Sequence, residues 1–214
     1  KVVTKGKRSV IATVRLERAP IGIAINPLTN RVYAAMPADT AVVIDGATNK
    51  VRAKVRVSPG LSAVIVHAKA NRIYALSSRE PTLAVIDGTS DKMIARIERA
   101  GSEALAINRR TNCIYVANRI DNSITAINGL TNEIIRRMPA SGIPRSIAVD
   151  TRTNRIYANV LFADFSGAAV AVFDGNAHER MALIHTDQDA GEIAVNSKLN
   201  HVYAVSLRNG NLHA

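Results

Sequence analysis

Apolar and polar positions along the chain alternate in short runs, each closed by Asn, Asp, Gly or Pro. In the first clear group the runs are IGIAIN (Ile21 to Asn26), RVYAAM (Arg31 to Met36), AVVID (Ala41 to Asp45) and KVRAKVRV (Lys50 to Val57). Their β-branched content and period-two alternation predict four strands, a to d. Asn-Pro-Leu-Thr-Asn between a and b, and Asp-Gly-Ala-Thr-Asn between c and d, supply turn chemistry: Gly and Asn tolerate positive φ, and Asp and Thr side chains bond nearby backbone.

The group recurs. NRVYAA from Asn30, NRIYAL from Asn71, NCIYVA from Asn112, NRIYAN from Asn154 and NHVYAV from Asn200 align, and their Tyr33, Tyr74, Tyr115, Tyr157 and Tyr203 are all the tyrosines of the chain, spaced 41, 41, 42 and 46 apart. A second mark falls between them, as VVIDG to Gly46, AVIDG to Gly88, TAING to Gly129 and AVFDG to Gly175. One four-stranded unit cannot bury both sheet faces alone, so copies pack face to face around an axis, which predicts an all-β propeller of about five blades in one domain, residues 1–214. Strand a, nearest the axis, carries the small residues such a centre requires: Gly22, Ala63, Ala104 and Ser146 share one register position, and Ala24, Ala106, Ala148 and Ala194 the next on that face. Ile23, Val64, Leu105, Ile147 and Ile193 form the larger interblade set. By the tyrosine register the chain begins and ends inside strand c. Four blades are then continuous, and a fifth takes c and d from KVVT and VIATVRL at the N-terminus and a and b from EIAVN and HVYAV at the C-terminus.

With the P-x-x-IAIN-P-x-TN-R-x-Y and V-IDG-x-TN marks, and with Tyr115-Val116-Ala117-Asn118 nearly reproducing the tetrapeptide that names it, the chain resembles the YVTN family of β-propeller repeats over essentially its whole length. That resemblance implies surface-layer, periplasmic or otherwise exported binding proteins, and commonly seven blades, so that a fragment of a seven-bladed ring is the alternative to a closed five. It carries no catalytic motif. Related propellers include quinoprotein dehydrogenase subunits and a streptogramin lyase, and fold does not choose among them.

Composition adds one anomaly, a net charge of +11 with 20 Arg and 8 Lys, which points to anionic partners such as nucleic acid or another polyanion. No apolar run approaches the length that spans a bilayer, and the start at Lys1 shows no targeting signal. In a propeller the a–b and c–d turns share one end and the b–c and d–a loops the other. The a–b turns carry Arg31, Lys69, Arg72, Arg109, Arg110, Arg152, Arg155 and Lys198 against Asp150 as their one acid. Opposite lie Asp39, Glu80, Glu98, Glu103, Asp121, Asp164, Asp187, Asp189 and Glu192, with Arg79, Arg119 and Arg145 among them. The expectation is a basic face able to dock a polyanion or an acidic protein. With no Trp and every Tyr in a strand, any nucleic-acid contact is expected to be phosphate-dominated and unspecific.

Catalytic signals are sparse. The five His are dispersed without metal-ligand spacing, no phosphate-binding or nucleophile-elbow motif occurs, and the lone Cys113, expected to be partly exposed, has no His near it in the repeat frame. No cofactor or metal is expected, and the reading favours a non-catalytic binding scaffold. The alternative, an enzyme or enzyme subunit, would place its site at the axial mouth, where Glu103, Arg145 and Glu192 begin strand a in three successive blades. A last irregularity is the long b–c loop Asn159 to Gly167, whose Phe162 and Phe165 are expected either to fold over the mouth as a lid or to present a contact surface.

Overall fold

A computed structural model describes residues 2–3, 10–186, 189–207 and 210–214. β1 (Val2–Val3) and β2 (Val10–Ala12) pair with each other. Four antiparallel four-stranded blades follow. The first is β3 (Gly22–Asn26), β4 (Arg31–Ala35), β5 (Thr40–Asp45) and β6 (Lys50–Arg56); the second is β7 (Leu61–His67), β8 (Arg72–Ser77), β9 (Leu83–Asp87) and β10 (Lys92–Ile97). The third is β11 (Ala104–Asn108), β12 (Cys113–Asn118), β13 (Ser123–Asn128) and β14 (Ile134–Pro139); the fourth is β15 (Ile143–Asp150), β16 (Arg155–Leu161), β17 (Ala168–Asp174) and β18 (Glu179–His185). A fifth sheet holds β19 (Ile193–Asn196), β20 (His201–Val205) and β21 (Leu212–His213). The inner strands β3, β7, β11, β15 and β19 touch in succession while the outer strands diverge, which is the arrangement of propeller blades.

The turn motifs set this geometry. At each c–d turn the Asp or Asn side chain accepts the N–H groups two and three residues on: Asp45 from Ala47 and Thr48, Asp87 from Thr89 and Ser90, Asn128 from Leu130 and Thr131, Asp174 from Asn176 and Ala177. Those N–H groups hold the Asp45, Asp87 and Asp174 carboxyls below the ordinary carboxylate range. The repeated Asp-Gly pairs are thus turns whose carboxylates are committed to backbone. The Gly that follows donates to the carbonyl of the asparagine that precedes strand b of its own blade, at 2.8 Å from Gly46 to Asn30 and from Gly88 to Asn71. That asparagine has positive φ in all five units, and a Cβ on Gly46 would stand 2.5 Å from the Asn30 Oδ1. Asn and Gly are therefore required as a pair.

Each interblade core has the same make-up. The forward face of one blade offers small residues and its tyrosine, and the backward face of the next offers branched aliphatics. Ala24, Tyr33, Ala35 and Val43 pack on Val64, Val66, Ile73 and Ala75, and Tyr115, Ala104 and Ala106 on Ile147 and Ile156. Val64 and Val66 are 7% and 3% exposed as a result.

The ends differ from the expected shared blade. β20 pairs on its far side with β21, through Ala204↔His213 and Val205↔Leu212, not with the N-terminal segment. Leu212 lies close behind Val205 in sequence, so this local pairing costs little loop-closure entropy, whereas pairing with the N-terminal segment closes a loop of nearly the whole chain. Of the N-terminal segment assigned to that blade, Lys1 and Thr4 to Ser9 lie outside the described residues. Val14 and Leu16 pack on Ala34, Met36, Val42 and Ile44, the outer half of the first blade's backward face.

One hydrogen-bond ladder runs from blade to blade at the a–b turns. The Asn that ends strand a caps its own turn through Oδ1 and donates forward through Nδ2, from Asn26 to the Asn71 Oδ1 (2.7 Å) and from Asn108 to the Asn154 Oδ1 (2.6 Å). In the fourth blade Asp150 holds this position and has no amide to donate, so Arg152 bonds Asn200 instead (2.9 Å). In the second blade it is His67. Its Nδ1 accepts from the Ala70 N–H and caps a 3-10 turn over Ala68–Ala70, but its Nε2 and the Oδ1 of Asn112, the next blade's counterpart of Asn71, are both buried without a partner among the described residues. Burial, reinforced by Arg72, Lys69 and Arg109, lowers its pKa from the ordinary 6.5. A lowered histidine pKa favours folding fully above about pH 6.5 and progressively less as pH falls, because the unfolded chain takes up the proton first. His67→Asn restores the ladder. It is expected to raise stability by about 1 kcal/mol and to shrink the fall in melting temperature between about pH 7 and pH 5, both measured by thermal unfolding across a pH series.

Candidate functional site

The a–b turns bring the predicted basic residues to one end of the propeller, but in two different states. Arg31 and Arg72 are tied down. The Arg31 guanidinium donates across to the c–d turn of the second blade, at the Gly88 carbonyl, the Thr89 carbonyl (3.2 Å) and Asp91 (2.8 Å), and Arg52 closes on the same carboxylate at 2.7 Å. Arg72 repeats the contact one blade on, with the carbonyls of Gly129 and Leu130 and the Asn132 Oδ1. Beside it the Tyr74 hydroxyl lies 2.8 Å from both the Gly129 carbonyl and the Asn132 Oδ1. Cys113 replaces this Arg in the third blade, and there the next c–d turn presents His178, whose ring lies 6.5 Å from that of Tyr115. Sequence reasoning missed this role. Its signal was available: an Arg two residues before Tyr, paired with a positive-φ Asn or Asp three residues after the Gly of the following blade.

Lys69, Arg109, Arg110, Arg155 and Lys198 are exposed, and among the described residues none of their side chains makes a hydrogen bond or salt bridge, though Arg155 stands opposite Asp174 on β17 and helps to hold that carboxyl low, while Arg152 is engaged with the Ser197 carbonyl and Asn200. They come from four consecutive blades. Asp150, the acid among them, is buried and consumed by Arg152 N–H and the Thr153 hydroxyl. The outer c–d turns bring Asp45, Asp87 and Asp174 to this same end, so the basic surface is an inner zone with an acidic outer rim rather than a uniformly positive face. Arg72→Ala should cost about 1 kcal/mol by losing its bonds to the Gly129 and Leu130 carbonyls, whereas Arg155→Ala, at the same repeat position with no hydrogen bond of its own among the described residues, should stay within about 0.5 kcal/mol; denaturant unfolding of the two variants makes the comparison.

At the opposite end Glu103, Arg145 and Glu192 line one shallow cavity of about 310 Å³ with Ala190, Gly191 and Leu207. Glu103 is bound by Arg145 at 3.1 Å and lies 4.0 Å from Arg119, so its charge is compensated. Glu192 is exposed and makes no ion pair among the described residues. The strand entry beneath it is pinned by the Ser146 hydroxyl (2.6 Å) and the Asn159 amide (3.3 Å), both donating to the Gly191 carbonyl. Of the acids assigned to this end, Asp187 lies outside the described residues.

The long loop of the fourth blade contributes nothing to that cavity's lining. Its extra residues extend β16 and β17 and close in a tight turn held by Phe162–Gly167 and Phe165–Phe162 backbone bonds of 2.9 Å. Phe162 packs into the core between the third and fourth blades and stacks at 5.4 Å on His185. Phe165 is 60% exposed and sits at φ +57°, a region costly for a side chain with a Cβ and tolerated best by Gly and Asn. Phe162→Ser should destabilise by about 2 kcal/mol, while Phe165→Asn should be neutral or stabilise by up to about 1 kcal/mol; melting curves of the single variants separate them.

Cys113 is buried, not partly exposed, because it faces the interblade core in place of an Arg; burial pushes its thiol pKa up and leaves it protonated and inert. Among the described residues no group of three or more His, Cys, Asp or Glu is placed to hold a metal ion, and no helix is long and apolar enough to cross a membrane.

No protein-family model and no curated protein sequence matches the chain. Among solved structures it is similar to the hydrazine synthase of Kuenenia stuttgartiensis, with a TM-score of 0.77 at 16% identity over 97% of this chain. The chain spans 60% of the length of that one. At such identity the likeness carries the architecture alone, and it agrees with the β-propeller built by the strands.

Proposed function

We propose that the chain is an exported, YVTN-type propeller that acts as a non-catalytic binding scaffold and docks anionic partners on its a–b turn end. The observation that carries this reading is the set of exposed cations there: Lys69, Arg109, Arg110 and Lys198 have no hydrogen-bonding or acidic partner among the described residues, while the structural arginines Arg31 and Arg72 are fully engaged. Unpaired guanidinium groups in a rigid frame suit bidentate contact with sulfate, phosphate or carboxylate. The repeat spacing makes the surface a match for a chain of regularly placed anions rather than for one small ligand. With the tyrosines in the strands and no tryptophan, no stacking platform supports base recognition, so the partner is read by its charge. The enzymatic alternative rests on the axial mouth, where a carboxylate already compensated by two guanidiniums is a weaker acid–base candidate than an isolated one.

Salt-dependent retention on immobilised heparin tests the reading. Reversing Arg109 and Arg110 to Glu should move elution to much lower salt, and reversing Arg79 and Arg119 at the opposite end, an equal change in net charge, should not. Equal shifts from both sets would leave net charge as the whole cause and remove the proposed surface.

A further inference from the structure

The ladder residue of the second blade is an imidazole set among the cations of the a–b turn end. His67 is 1% exposed, and it caps the 3-10 turn on which Lys69 stands. Its ring reaches the third blade: a Cβ on Gly129 would stand 2.7 Å from its Cδ2 and 3.2 Å from its Nε2, whereas Gly46, Gly88 and Gly175 meet the asparagine of their own a–b turn there. Arg72 and the Tyr74 hydroxyl bond the carbonyl of the same Gly129. The charges that bear on the imidazole most are Arg72 and Lys69 of its own blade and Arg109 of the next, all positive. Asp87, the acid of the second blade's c–d turn, is committed to the Thr89 and Ser90 N–H groups and stands opposite Arg72 on the sheet.

The hydrogen bonds define which charge state this arrangement accepts. Because Nδ1 takes the Ala70 N–H, the neutral ring carries its proton on Nε2, an atom buried without a partner among the described residues. A second proton must enter at Nδ1, against the Ala70 N–H, and it adds a positive charge to a site already bordered by Arg72, Lys69 and Arg109. Arg72 is bound to carbonyls, but Lys69 and Arg109 are exposed and make no hydrogen bond or salt bridge among the described residues, so their charge is open to an anion from solution. An anion held there offsets the repulsion that keeps the ring neutral, and a protonated ring adds its own attraction for the anion. The bond given up, from the Ala70 N–H, belongs to one turn at the surface where water can replace it, so charge sets the sign.

We infer that protonation of His67 and anion binding by Lys69 and Arg109 strengthen each other, so that this end of the propeller holds a polyanion more tightly as pH falls below neutral. The coupling presupposes that the a–b turn end docks anions, as proposed above. It is reciprocal by linkage: the factor by which the proton raises anion affinity is the factor by which the anion raises proton affinity.

Titration calorimetry of the full chain with a dextran sulfate oligosaccharide, run at fixed ionic strength from about pH 7.5 to about pH 5, tests the coupling with a probe whose own charge stays constant. Wild-type affinity should rise about threefold to tenfold over this range, and the oligosaccharide should move the titration midpoint of the His67 ring-proton resonance upward by up to about one pH unit. His67→Asn, which supplies the turn-capping oxygen seen at Asn26 and Asn108 and takes up no proton, should match the wild type at the higher pH and lose most of the rise. The double variant Arg109→Glu, Arg110→Glu should bind weakly throughout. An equal rise in His67→Asn, or a His67 midpoint that the oligosaccharide leaves in place, overturns the coupling; the docking surface still stands if charge reversal at Arg109 and Arg110 weakens binding. If that reversal changes nothing at either pH, the docking reading and the coupling fall together.

Discussion

Each four-stranded blade depends on a single close approach, that of the c–d Gly to the left-handed Asn of its own a–b turn. The Gly88 N–H bonds the Asn71 carbonyl, and the space where a Cβ would stand is taken by the Asn side chain. This contact fixes the spacing of the two turns at one end of the sheet and so the register of strands b and c. With register fixed, Tyr and Ala fall on the forward face and Ile and Val on the backward face, because side chains alternate with period two. Once that is set, the next blade has one way to pack. The arginine contacts and the asparagine ladder are consequences: both reach from a turn held by this approach to a turn held by the next one.

The functional surfaces arise from departures within this frame. Arg31 and Arg72 are absorbed into structure by the c–d turn of the following blade, whereas Arg155, at the same repeat position, makes no hydrogen bond among the described residues and stands as a surface cation. Where the ladder residue is Asp, Arg152 is drawn in to replace the missing amide, and where it is His, an acceptor on the next blade is left alone. Binding capacity in this molecule is what remains after the interblade bonds are made.

Much of this was legible in the sequence. The tyrosine spacing, the Asp-Gly and Thr-Asn marks and the small residues of strand a report contacts that only a few side chains can make, and so they give blades, strands and axis directly. The mouth residues Glu103, Arg145 and Glu192 were also brought together as their register required. What the sequence did not reveal was the division of the arginines. Arg72 and Arg155 occupy the same repeat position between the same neighbours, and what separates them among the described residues is the contact Arg72 makes with a turn of another blade, which its local sequence does not record. The ends were illegible for a related reason: register shows which strand can complete a blade, but not whether a nearer segment reaches the edge first, as β21 does at β20. Phe162 and Phe165 look alike in a loop, and their fates follow from which of them meets the core edge and His185.

Because each blade's bonds run to its two neighbours and no farther, stability is held in a row of near-identical links rather than in one shared core. A blade packed on both sides, such as the third, opens only by breaking two such links at once. The turns that carry Arg109 and Arg110 belong to that blade, so the cations proposed to meet a partner sit on a stretch of the molecule held from both sides.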